Sequence, residues 1–295
     1  MVLVVGATGM VGSEICKRLA ARNEKVRGLV RATSSTEKVN SLRGYGVEVC
    51  IGDLKDPDSL AVACRNADAV ISTASSTLSR QPGDSIESVD EVGQLHLVEA
   101  AKTAGVGRFI FASFRHPAGI SFPLAEAKAR VENAIADMNF TVVQANFFME
   151  VWLGPALGFD YANATARIYG PGTRPLSWVS FLDVAEICVL ALRNPVAERR
   201  TIEFGGPEML SPLQVVTRFE KIGGKPFKCE HIPEEALRAQ FEGATDPMQK
   251  SFAGLMLCYS AGDAIDMTRV QKEFGIVLTT LDQYARGVLE HATAM

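Results

Sequence analysis

The apolar positions of the first half of the chain come in short blocks that alternate with longer segments of helical period. Val2–Val5, Val26–Val30, Val47–Ile51, Ala69–Ser72, Phe109–Ala112 and Thr141–Gln144 are brief, largely β-branched or aromatic runs. They read as strands buried on both faces. Between them the period lengthens. Val11, Ile15 and Leu19 recur as one helix face, Ser34 with Glu37 has capping-box spacing, and Asp56-Pro57 supplies an N-cap followed by proline at the first helical position. Asp84 with Glu87 opens a predicted helix reaching Ala104, and a further helix is expected from Pro123 to Asp137. Strand and helix in alternation imply an α/β, Rossmann-type doubly wound parallel sheet with right-handed crossovers.

Beyond residue 150 the pattern is less regular. Glycine, proline and aromatic residues thicken from Phe147 to Trp178, and helices are expected at Ser180–Leu192, Ser211–Ile222, Glu234–Phe241, Pro247–Cys258, Thr268–Phe274 and Thr280–Glu290. No internal repeat or low-complexity linker separates the halves. The expected organisation is a dinucleotide-binding domain over residues 1–150 and a smaller C-terminal lobe over 151–295. About 177–206 of that lobe should pack back on the first domain.

The loop after the first strand carries the first chemistry. Gly6-Ala7-Thr8-Gly9-Met10-Val11-Gly12 joins strand to helix with the spacing G-x-x-G-x-x-G. A pyrophosphate needs backbone amides aimed at it and no side chains in the way; glycines at these places permit the tight turn, the close approach and the helix–strand packing. A bare strand–helix turn is the plainer alternative. The end of the second strand adds a choice between cofactors, because an acid there holds a ribose 2′-hydroxyl and a base suits a 2′-phosphate. Val30 is followed by Arg31; Glu24 precedes the strand and Glu37 lies in the following helix, so no carboxylate occupies the discriminating place. NADP(H) is therefore the expected cofactor, with Ser34, Ser35 and Lys38 available to assist; a solvated surface arginine is the other reading.

The net charge of −4 carries no basic field for nucleic acid. Val2–Val5 is too short for a secretory signal, and no segment approaches the length of a membrane span, so a cytoplasmic protein acting on a small molecule is expected. Cys16, Cys50, Cys64, Cys188, Cys229 and Cys258 are scattered without a C-x-x-C pair or a histidine cluster, and metal ligation is not expected. Oligomeric state is left open.

The glycine loop, Val30-Arg31, Gly52-Asp53-Leu54, the segment Ala100–Ser113, Glu126–Glu132 and Thr141–Glu150 together resemble the NmrA-like branch of the atypical short-chain dehydrogenase/reductases. The resemblance spans roughly residues 2–205. It implies that Asp53 and Leu54 lie beside the adenine, that Thr73, Ala74 and Ser75 pass along the middle of the cofactor, and that Ala145, Asn146, Phe147 and Phe148 border the nicotinamide. Asp53 also reads as a simple turn residue. The superfamily pairs a tyrosine with a lysine as Y-x-x-x-K. Here Lys128 matches the lysine, and Leu124 stands at the tyrosine position. Some isoflavone-reductase-like members likewise lack the tyrosine and keep the lysine. Lys128 would bond the nicotinamide ribose and stabilise a developing oxyanion; an exposed lysine paired with Glu132 is the alternative. Ser113 falls where the family's serine ends a strand. His116, in the following loop, is a candidate proton donor or a surface residue.

Phe114, Phe122, Phe148 and Trp152, with Phe147 and Trp178, are candidates to line a flat, apolar substrate site, though aromatics are as readily plain core. The leading expectation is an NADPH-dependent reductase of an aromatic or quinone-like substrate. The alternatives are an NADP(H)-binding redox sensor without turnover and a sugar-nucleotide epimerase, the last weakened by the missing tyrosine.

Overall fold

A computed structural model describes residues 1–78, 81–116 and 119–293. The chain forms two compact units. One comprises Met1–His116, Pro123–Gln144 and Val184–Ile202; the other comprises Pro117–Phe122, Ala145–Asp183 and Glu203–Met295.

The first unit is the expected Rossmann-type sheet. Its elements run β1 (Val2–Val5), α1 (Met10–Ala21), β2 (Val26–Val30), α2 (Thr36–Gly44), β3 (Glu48–Ile51), α3 (Pro57–Cys64) and β4 (Ala69–Ser72). A wide turn of π-helix (Ile86–Gly93) then leads into α4 (Gln94–Thr103), followed by β5 (Arg108–Phe114), α5 (Pro123–Ala134) and β6 (Phe140–Ala145). The chain returns to this sheet through α7 (Phe181–Ala191) and β9 (Arg200–Phe204). Seven strands lie in the order β3-β2-β1-β4-β5-β6-β9. β1 pairs in parallel with β2 (Val2 opposite Val26) and with β4 (Val2 opposite Ala69), and the pairs β2–β3 and β4–β5 are parallel too. The strand order therefore reverses between β1 and β4, the place where such sheets open a ligand crevice at their carboxyl ends. Every residue of β1 and β4 is buried, as strands covered on both faces require. Leu3, Val5, Leu60, Val70, Leu97, Phe109, Phe111 and Val131 belong to one apolar cluster in this unit.

Three local expectations need correction. The helix predicted from Asp84 starts instead with Ser85 as its cap: Ser85 Oγ accepts from the Ser88 amide, and Ser88 Oγ accepts from the Ser85 amide. Asp84 cannot cap because its carboxylate is taken by Lys55, Arg31 and the Gln81 amide. Similarly, Ser34 does not cap α2. Its hydroxyl accepts from the Arg31 amide at 3.1 Å, and the helix begins at Thr36 after Ser35. The helix from Pro123 ends at Ala134, earlier than expected. The Asp56-Pro57 start is as predicted, with Asp56 Oδ1 accepting from the Asp58 and Ser59 amides.

The second unit adds α6 (Met149–Trp152), a small sheet of β7 (Phe159–Asp160), β8 (Thr165–Tyr169) and β10 (Lys228–Ile232) in the order β10-β8-β7, and α8 (Pro212–Gly223), α9 (Glu234–Gly243), α10 (Pro247–Ala261), α11 (Thr268–Phe274) and α12 (Leu281–Thr293). Ser211 and Gln214 form a capping box at α8 with Pro212 in the first turn. Phe147, Trp178, Tyr169, Phe219, Tyr259 and Leu281 sit in its apolar core. Among the described residues no helix is long and apolar enough to cross a membrane.

Candidate functional site

The glycine loop lies where the strand order reverses. Gly6 has φ +84°, a backbone only glycine adopts without strain, and a Cβ placed on it would lie 2.8 Å from Thr73 Oγ1 and 2.9 Å from the Ala74 nitrogen. The β1 and β4 exits thus touch through a residue that must have no side chain. A Cβ on Gly12 would overlap the Gly6 carbonyl, which fixes the close packing of α1 on the loop. Gly9 differs. Its φ is −79°, and a Cβ there would meet only the Gly6 carbonyl oxygen, at 3.1 Å, with otherwise open space. Gly9 is the N-cap of α1, no side chain caps the helix, and its first turn, which holds Met10, Val11 and Gly12, carries no acid. Open space in front of an uncapped, acid-free helix start is what a pyrophosphate requires. On this observation the residues present fit a dinucleotide.

Arg31 follows β2 and does not stand apart from carboxylates. Its Nη1 donates to Asp84 Oδ2 at 2.6 Å, and Lys55 Nζ pairs with Asp84 Oδ1. No carboxylate stands at the strand end in sequence; the acid that meets Arg31 arrives from 53 positions away. The Asp84 side chain is 1% exposed. Burial alone would push its carboxyl up, but the bonds from Lys55, the Gln81 amide and Arg31 outweigh this and hold it below the usual carboxylate range. Asp53 performs a turn role, its Oδ1 accepting from the Lys55 amide at 2.9 Å. Leu54 is buried against Gly93, where a Cβ would lie 2.8 Å from Leu54 Cβ.

The exit of β4 is held by side chains of the π-turn and α4. Thr73 donates to the Val5 carbonyl from both its amide and its hydroxyl. Ser72 Oγ donates to Gln94 Oε1 at 2.8 Å, and Gln94 Nε2 donates to the Ala74 carbonyl at 3.0 Å. Ser75 Oγ lies 3.1 Å from Thr77 Oγ1. Ser76 donates to Asp90 Oδ2 from its amide (3.0 Å) and its hydroxyl (2.6 Å). Asp90 is fully buried, and its other oxygen, Oδ1, lies 3.6 Å from Lys128 Nζ. Lys128 is 5% exposed, with its ammonium 4.8 Å from the centre of the Phe111 ring. It is neither an exposed lysine nor a partner of Glu132. Leu124, at the absent tyrosine's position, is buried core.

Glu132 serves a different group. Its Oε1 accepts from Ser113 Oγ at 2.5 Å and lies 2.9 Å from His116 Nε2, and its Oε2 accepts from Gln144 Nε2 at 2.9 Å. Ser113 and His116, separate candidates in sequence, are joined by a carboxylate that sequence reasoning missed. The Phe114 ring is 5.7 Å from the His116 ring.

The remaining candidates belong to the second unit, and Ala145 is in addition the last residue of β6. Asn146 is wholly engaged: its amide donates to the Phe204 carbonyl, its Oδ1 accepts from the Phe147 amide, and its Nδ2 donates to the Asp263 carbonyl and carboxylate. Phe147, Trp178, Tyr169 and Tyr259 are buried around Trp152, with the Phe147 and Trp152 rings 4.9 Å apart edge to face. Phe122 is buried against Gly254. Phe122, Phe147 and Trp178 are thus core aromatics, while Phe148 and Trp152 retain partial exposure. Burial pushes the Cys16 and Cys188 thiols up to about 12, so these cysteines are poor nucleophiles. Among the described residues no cluster of histidine, cysteine and acids could hold a metal ion.

A profile of the NmrA-like family matches residues 1–285. The chain belongs to the NmrA-like family. This NmrA-like protein is 29% identical over 309 residues to an NAD(P)H azoreductase of Xenophilus azovorans, covering 100% of this chain and 99% of the relative. It is 28% identical over 297 residues to the photosystem II assembly factor Ycf39 of Synechocystis, covering 96% and 89%. Among solved structures, the NADPH-dependent quinone oxidoreductase of Escherichia coli in complex with NADPH superposes with a TM-score of 0.79 at 20% identity, covering 98% of this chain and 99% of that one. At that identity the likeness speaks for the fold.

Proposed function

We propose that the protein is an NAD(P)H-dependent reductase that prefers NADP(H) and acts on a small, apolar, aromatic or quinone-like substrate. The observation that carries the reading is the cradle at the β1/β4 reversal. Gly6 and Gly12 are closed by their neighbours, while Gly9 leaves the start of α1 open and uncapped. The Gly6–Gly12 loop, Thr73, Ala74 and Ser75 would hold the dinucleotide, and Arg31 with Lys55 supplies cations for a 2′-phosphate. A bound reduced nicotinamide would supply the hydride. Lys128 is the chain's own group for the negative charge that develops on a reduced carbonyl or quinone oxygen. It is buried, so its field is little screened, and it donates no hydrogen bond among the described residues. The azoreductase relative supports the chemistry.

A second reading is a nucleotide-binding regulator without turnover. Leu124 in place of a phenol, and a relative named as an assembly factor, favour it. Both are tested by following loss of NADPH absorbance with a panel of quinones, azo dyes and aromatic enones, beside calorimetric titration with NADPH and NADH. Turnover with preference for NADPH is the expected result. Tight NADPH binding with no turnover of any compound selects the regulator, and no binding of either nucleotide overturns both.

A further inference from the structure

The π-turn between β4 and α4 is an unusual element. A π-helix closes i→i+5 bonds, is rare, and is frequent at functional sites. Here the Ser85–Ser88 cap starts it, and Gly93, packed against Leu54, ends it. Its product is Asp90, fully buried and aimed at two neighbours at once. Oδ2 is saturated by the Ser76 amide and hydroxyl. Oδ1 is sealed from solvent and accepts no hydrogen bond among the described residues. Lys128 Nζ stands 3.6 Å from it, inside ion-pair range and beyond a hydrogen bond.

A buried ammonium needs a countercharge, and a hydrogen bond to that countercharge would use one of its three donors. At 3.6 Å the Asp90 carboxylate supplies the charge and leaves the donors uncommitted. Glu91 of the π-turn and Glu126 and Glu132 of α5 are engaged elsewhere. Glu91 on the π-turn takes Arg130, Glu126 lies 3.8 Å from Arg130, and Glu132 takes Ser113, Gln144 and His116. The anchor reaches further, because Asp90 grips Ser76 while Gln94, four residues on, grips Ser72 and Ala74. One helical face therefore holds both the β4 exit and the lysine.

We infer that Asp90 is a positioning residue for Lys128: it holds the ammonium in place with its donors free for an acceptor, and it acts on the reaction only through that lysine. This rests on the reductase reading, in which Lys128 stabilises the developing oxyanion.

The test is a double-mutant cycle on full-length protein with Asp90→Asn, Lys128→Met and the double variant. Steady-state kinetics are measured together with thermal unfolding of the nucleotide-free protein. Lys128→Met should lower kcat about tenfold to a thousandfold, and Asp90→Asn about tenfold to a hundredfold with KM little changed. In the Lys128→Met background, Asp90→Asn should change kcat by less than about twofold. Nucleotide-free Tm should be coupled in the same sense, since either single change strands a buried charge and the double does not. Ser76→Ala loosens Asp90 while keeping its charge. It should lower kcat a few-fold, again only when Lys128 is present, and it serves where Asp90→Asn does not fold. If the effects of Asp90→Asn and Lys128→Met multiply independently, or Asp90→Asn keeps wild-type kcat, the positioning role is overturned and the lysine's role stands. If Lys128→Met keeps wild-type kcat, both fall. If the wild type turns over nothing, the reductase reading fails. The Tm cycle then decides the pair alone: coupling retains it and additivity overturns it.

Discussion

Asp84 and Asp90 stand a few residues apart, their side chains are both sealed from water, and they are used in opposite ways. Asp84 is saturated: Arg31, Lys55 and the Gln81 amide all donate to it. Asp90 is saturated on one oxygen and bare on the other, with a lysine held just out of hydrogen-bond reach. A carboxylate hydrogen-bonded on both oxygens fastens segments together, and removing it costs stability. One left half-engaged beside a cation supplies countercharge while leaving that cation's donors free for an acceptor. On the positioning proposal, Asp84 fastens the Arg31 end of the sheet and Asp90 orients Lys128.

The comparison presumes that a dinucleotide spans the ground between them, and the largest expected effect tests that presumption. Gly9→Val puts a branched side chain into the open space before α1. NADPH affinity should fall by about a hundredfold or more, with the unfolding temperature nearly unchanged, because nothing but the Gly6 carbonyl lies near the new Cβ. Normal affinity in the folded variant would remove the cradle from the account. Next in size, Arg31→Ala should weaken NADPH by about 1–3 kcal/mol and leave NADH nearly untouched, the signature of a lost phosphate pair in calorimetry. Equal losses for both nucleotides would show that Arg31 serves only Asp84.

Asp84→Asn sharpens the contrast from the stability side. Its carboxyl is depressed in the folded state, so it contributes stability that is present above the ordinary carboxylate range and lost as pH falls through the folded value. Urea unfolding should show a deficit of about 1–3 kcal/mol at neutral pH that closes in acid. A deficit independent of pH would mean packing, not charge, is at stake. The smallest effect is expected at Glu150 in the second unit. Burial raises its carboxyl despite hydrogen bonds from Ser180 Oγ and the Phe181 amide. For an acid shifted upward the sign reverses: wild-type stability is fullest below the ordinary range and declines as pH rises through the folded value. Glu150→Gln escapes that decline, so its Tm relative to wild type should climb from acid to neutral pH, by the equivalent of about 1 kcal/mol or less.

What was legible in the sequence was local. Glycine spacing after an apolar run, Asp56-Pro57, and Lys128 at the family's lysine position each declare themselves within a few residues. The partners do not. Asp84 meets Arg31 across 53 positions, and Glu132 meets Ser113 across 19. Nothing in composition or period marks a carboxylate for one cation over another. The misplaced start at Asp84 has the same cause, because Asp and Ser are equally good caps and the tertiary claim of Lys55 and Arg31 on Asp84 decided between them. β9 was missed although Thr201, Ile202, Glu203 and Phe204 alternate between exposed and buried. β10 carries only a weak signal, with no residue of Lys228–Ile232 fully buried. The second unit's aromatics could not be divided into wall and core from sequence because both uses want the same side chains.

The seventh strand has a consequence for how the protein is made. β6 gains its neighbour β9 only after the chain has left for the second unit and come back, and Arg108, at the start of β5, is held by the carbonyls of Ala191 and Ala197 on that returning stretch. A ribosome must therefore extrude some two hundred residues before the nucleotide-binding sheet can close. Until then β6 is a raw edge of unpaired amides and carbonyls, open to pairing with other nascent chains. A gene fragment cut at the apparent end of the Rossmann pattern, near residue 150, would freeze the protein in that exposed state. The cofactor-binding half of this sequence is thus not a cassette that can be lifted out and joined to another protein.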